Sequence, residues 1–168
     1  MTTSLKQKFE KKFFSIQNDI ILYLLEHHPR KLLRIMSRLA AKAPDAIDRA
    51  LGLLRSDDVD EQSMTFDCAV IFVIVVAPDR LKEEPPVEVL HWLIAFIDYY
   101  GRKSIATVSI IKTNPAKQVA ESLIRELVER QCSSDEVAET VDLWIDKAER
   151  DETAMMLINL RKQFLRKT

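Results

Sequence analysis

Leu5, Phe9, Phe13, Ile16, Ile20 and Leu24 recur at spacings of three and four. That period puts them on one face of a helix from about Ser4 to Glu26. Pro29 ends it and opens a second helix, Pro29 to about Lys42, because proline suits a first helical position. Pro44 opens a third, with Asp45 and Asp48 in its first turn and Ile47, Ala50, Leu51 and Leu54 as its buried stripe. Asp58 and Glu61 resemble a capping box ahead of a fourth helix, about Asp60 to Ala77. Within it, Ala69 to Val76 is β-branched and apolar on every side, a pattern that also fits a buried strand. Helix is the better reading: Glu61 to Cys68 contains no breaker, and a lone strand needs partners. A helix apolar all round sits at the centre of a fold, covered by neighbours.

Downstream, Val87 to Tyr100 carries Val89, Leu93, Phe96 and Tyr100 in register, with Gly101 where a left-handed cap belongs. A short helix, Lys103 to Lys112, follows. Asn114 and Pro115 cap a seventh, with Val119, Leu123 and Leu127 on its face. Ser133 and Glu136 form a capping box for an eighth helix bearing Val137, Val141 and Trp144, and Asp151 caps a ninth bearing Leu157, Leu160 and Phe164. The pattern predicts a single all-α domain over 1–168. It would hold eight or nine short-turn antiparallel helices, as an irregular bundle or a degenerate stack of helical hairpins, centred on the fourth or fifth. No fixed repeat period is visible.

Composition sharpens this. Only two of 168 residues are glycine, Gly52 and Gly101. Hairpin turns, bulges and phosphate loops use glycine for positive φ, so β-barrels, sandwiches and Gly-rich nucleotide folds are disfavoured. Cys68 lies in an apolar run and Cys132 beside two serines, with no CxxC spacing. They read as reduced thiols and a cytoplasmic protein. The longest apolar run, Cys68 to Ala77, is half of what a membrane span needs, and the charged start of the chain does not resemble a signal peptide.

Candidate chemistry is sparse. His27 and His28 are adjacent, point about 100° apart on a helix, and do not converge on one metal. His91 stands alone beside Trp92. The acidic run Asp57, Asp58, Asp60, Glu61 fails as a calcium loop, because Gln62 and Cys68 occupy the positions that need glycine and glutamate. No serine lies in a GxSxG elbow. No catalytic residue, metal ligand or cofactor site is expected.

Charge is more informative. The net charge is −1, but residues 1–44 carry +6, residues 45–100 carry −8 and the remainder +1. Arg30, Arg34, Arg38 and Lys42 repeat at a strict spacing of four, beside Lys31. Each step drifts about 40°, so the four form one edge about 18 Å long. The opposite face holds Leu32, Ile35, Met36 and Leu39. Arg161, Lys162, Arg166 and Lys167 form a second cluster near the C-terminus, and Phe14 lies off the main stripe of the first helix, where a partner or second copy would cover it. These features point to a protein–protein interaction module, an adaptor, chaperone-like or regulatory subunit, taking an acidic protein partner and open to homodimerisation. The alternative is a nucleic-acid-associated factor that binds phosphates through the same stripe and tail. A net charge near zero, and no aromatics interleaved with the arginines, weigh against it. The acidic middle segment offers a third role for the stripe, internal neutralisation.

Overall fold

The computed structural model describes residues 27–100 and 115–165. The predicted helices at 4–26 and 103–112, Gly101 and Asn114, and the site residues Phe14, Arg166 and Lys167 lie outside them. Within the described residues all regular structure is helical. The elements are α1 (Pro29–Lys42), α2 (Ala46–Arg55), α3 (Met64–Val76), a 3₁₀ helix (Pro78–Glu83), α4 (Pro86–Tyr99), α5 (Pro115–Arg130), α6 (Asp135–Lys147) and α7 (Asp151–Phe164).

The ambiguous segment is helical. Ser63 starts α3, its Oγ accepting the Phe66 N–H at 3.2 Å, and Pro78 stops it. Residues Phe66 to Ile74 are all buried, because α1, α2, the 3₁₀ helix, α4 and α5 surround α3. Burial on every side, rather than β propensity, decides the conformation. α4 is the second centre, packed on α3, α5, α6 and α7.

The helices pair. α2 packs on α3, α4 on α5, and α6 on α7, and these are the most extensive contacts in the molecule. Between pairs, α3 meets α4 and α5, α4 meets α6, and α5 meets α7. The architecture is therefore a stack of three helix pairs, with α1 laid across α2 and α3 at one end. The short links 56–63 and 148–150 make the first and third pairs antiparallel. One cluster of buried apolar side chains runs through the stack from Leu32 to Leu165.

Four sequence-derived helix starts move. α2 begins at Ala46, with Asp45 as its N-cap residue, rather than at Pro44. The Asp58–Glu61 box does not cap α3. Residues 57–62 form turns, in which Asp60 Oδ1 accepts the Gln62 N–H at 2.9 Å, and the cap falls at Ser63. For α6 the cap is Ser134, one residue beyond Ser133, its Oγ accepting the Val137 N–H at 3.3 Å. Asp151 is the first residue of α7 rather than its cap. There Asp98, fully buried on α4, accepts the N–H groups of Glu149 and Arg150, both at 3.0 Å. A carboxylate from a different helix thus takes the place of a local cap.

Candidate functional site

α1 rests on the stack through Leu32 and Met36, both almost fully buried, with Leu39 and Ala40 half-buried. At 100° per residue these four span about 100° of the helix. Ile35 is not in that face as its spacing suggested. It is 37% exposed and borders the basic edge, and Leu33, 47% exposed, borders the buried face on the other side. An arc this narrow leaves more than half of α1 in solvent.

That exposed side carries Arg30, Lys31, Arg34, Arg38 and Lys42. Among the described residues none of the five forms an ion pair, and Asp57 and Asp58 do not neutralise them. Lys42, in the last turn, suits the helix dipole, but the rest of the stripe is electrostatically unfavourable to its own helix. Arg30–Arg34, Arg34–Arg38 and Arg38–Lys42 are like-charge pairs at i,i+4, each costing about 0.2–0.5 kcal/mol. Arg30 and Lys31 also occupy the first turn, which contains no acidic residue and is the positive end of the helix dipole.

The second basic cluster is not assembled in the same way. Arg161 is committed to Asp142 at 2.5 Å and to the Leu165 carbonyl at 2.8 Å. Lys162 is exposed on α7. α7 packs on α4, α5 and α6, whereas α1 packs on α2 and α3, so the fold does not merge the two clusters through a shared helix contact.

Elsewhere, cations are bound into the scaffold. Arg55 on α2 reaches Glu88 at 2.9 Å and Glu84, with its guanidinium 5.2 Å from the Trp92 ring centroid. Those hydrogen bonds, to Glu84 first and Glu88 second, hold its pKa above the ordinary arginine value. Arg80 meets Asp48 at 2.5 Å, and that hydrogen bond raises its pKa likewise. The contrast with α1 is direct: among the described residues, arginines that join helices have carboxylate partners, and those on the α1 edge do not.

Sequence reasoning missed a polar constellation around His91. Trp144, buried on α6, donates its indole N–H to His91 Nδ1 at 3.2 Å, and Glu61 pairs with Nε2. The indole donor requires an unprotonated Nδ1, so the proton sits on Nε2 and is donated to Glu61. With both ring nitrogens engaged, this His–Glu pair lacks the free nitrogen of a general base or metal ligand. It fastens the turn before α3 to α4 and α6. The only hint in the sequence is the pairing of a lone histidine with a distant tryptophan, which no spacing rule reveals.

Among the described residues, no three His, Cys, Asp or Glu side chains gather as a metal site, and no helix is long and apolar enough to cross a membrane. Cys68 is buried and Cys132 exposed, and neither is in a disulfide. Two open depressions mark the surface. One, about 410 Å³, is lined by Val87, Glu136, Glu139, Thr140 and Leu143, where α6 meets the start of α4. The other, about 340 Å³, lies between α5 and α7, with Ser122, Glu121, Arg125 and Met156 on its walls. No protein-family model, no curated protein and no solved structure matches the chain.

Proposed function

We propose that this chain is a non-catalytic protein–protein interaction module, an adaptor, chaperone-like or regulatory subunit, whose α1 edge docks an acidic protein surface. One observation carries the reading: Arg30, Arg34, Arg38 and Lys42 stand exposed, unpaired among the described residues, in an arrangement that opposes the helix carrying them. A local rule broken without gain to the fold is the mark of a functional surface. The half-exposed Ile35 beside the cations adds apolar contact to the charge. Stacked helix pairs supply the rigid backing on which such an edge is presented. A cytoplasmic setting goes with this reading, since neither cysteine is in a disulfide.

The test is affinity capture with the full chain and with Arg34→Glu/Arg38→Glu, in nuclease-treated extract at low and moderate salt. The expected result is a set of acidic proteins held by the wild type and lost from the variant. Capture that disappears on nuclease treatment and falls steeply with salt would replace this reading with phosphate binding to nucleic acid.

A further inference from the structure

We infer that the acidic surface fitted to the α1 edge is the α6 face of a second copy of this chain, so that copies associate head to tail. The inference rests on the docking role proposed for α1 and names its partner.

α6 is the counterpart of α1 in charge. Glu136, Glu139, Leu143 and Asp146 follow at spacings of three, four and three, and all are exposed. They share a face within about 80° of arc and extend about 15 Å, close to the 18 Å of the basic edge. Asp135 continues the same face at the helix start. Among the described residues Asp135, Glu136, Glu139 and Asp146 form no ion pair, whereas the neighbouring Asp142 is held by Arg161. Asp135–Glu139 is a like-charge pair at i,i+4, while Asp135 and Glu136 in the first turn suit the positive end of the helix dipole. Two helix faces of opposite charge attract when laid against each other.

Shape supports the pairing. Leu143 is 57% exposed, the largest exposure of any large apolar side chain among the described residues, and it stands in the middle of the acidic face beside the 410 Å³ depression. The α1 edge carries its own exposed apolar neighbour, Ile35. An apolar contact flanked by charge pairs follows the anatomy of transient interfaces. Position matters as well. α1 packs on the first helix pair and α6 belongs to the third, so one copy does not bring these surfaces together by the contacts of its stack. Made once per pair of copies, this contact is heterologous and grows into rings or open chains, whereas the same contact made twice about a two-fold axis closes a dimer. One helix face per side is small, so the association is weak and salt-sensitive.

The experiment is sedimentation velocity of the full chain over rising concentration at low salt. The wild type should show reversible, concentration-dependent growth beyond the dimer that shrinks as salt is added. Arg34→Gln/Arg38→Gln and Glu136→Gln/Glu139→Gln should each weaken association at least about tenfold, the first with an unfolding midpoint no lower than wild type and the second still folded. Mixed in equal amounts, the two variants retain one intact interface, α1 of the second against α6 of the first, and should form a capped 1:1 dimer. A wild type that stays monomeric overturns the inference, as do Gln variants that associate like wild type or a mixture without dimer. If the wild type stays monomeric yet captures acidic proteins through Arg34 and Arg38, the second-copy inference fails and the docking function stands. If neither is seen, both fail.

Discussion

α3 buries nine consecutive residues, Phe66 to Ile74, whereas α1, 14 residues long, buries only Leu32 and Met36 among its described side chains. Among the described residues, the first packs extensively on five neighbours and the second on two. α3 has no polar face to present, and its one acidic residue, Asp67, is itself buried. α1 exposes five cations whose mutual repulsion works against its own helicity. One helix is shaped by the core and the other by something outside it. Substitutions should separate accordingly, into those that unfold the chain and those that leave it folded but unable to dock.

The largest effect is expected at Phe72, which is 3% exposed in α3. Phe72→Ala should destabilise by about 3–5 kcal/mol in denaturant melts, as a large core truncation does. A loss under about 1 kcal/mol would remove α3 from the centre and erase the contrast. Next comes Asp98, whose two oxygens hold the turn between α6 and α7. Asp98→Ala leaves two part-buried N–H groups without their acceptor and should cost about 1–3 kcal/mol in the same melts. Asp98→Asn keeps one acceptor oxygen and should recover part of that loss. No recovery would mean that the charge, rather than the cap geometry, holds the turn.

Much of this division was legible in the sequence. The α1 boundaries, the central placement of the AVIFVIVV segment and the basic edge all follow from periodicity and proline position, signals that act within one helix. The parts that were not legible act between helices. Asp98 reads as a stray acid in an apolar run until α7 is brought beside it. His91 reads as solitary until Trp144 and Glu61 converge on it. The misplaced caps at Asp58 and Ser133 have a local cause: several Ser and Asp residues compete in each turn, and only backbone geometry selects one. Ile35 missed the buried face because a helix resting on only two neighbours buries a narrower arc than its apolar residues span. The sequence likewise left the third role for the stripe open, and among the described residues no ion pair joins the stripe to Asp57 or Asp58.

The smallest effect on folding, and the sharpest on function, is expected at Arg34. Arg34→Glu turns the Arg30–Arg34 and Arg34–Arg38 contacts from repulsive to attractive, at about 0.2–0.5 kcal/mol per pair in each sense. The most direct measurement is denaturant unfolding and sedimentation of this one variant beside wild type. The expected result is unfolding free energy equal to wild type or higher by up to about 0.8–2 kcal/mol, with association at low salt lost. A variant less stable than wild type by more than about 1 kcal/mol, or one as stable as wild type that still associates in full, would show that the α1 edge does not serve docking at the expense of its own helix.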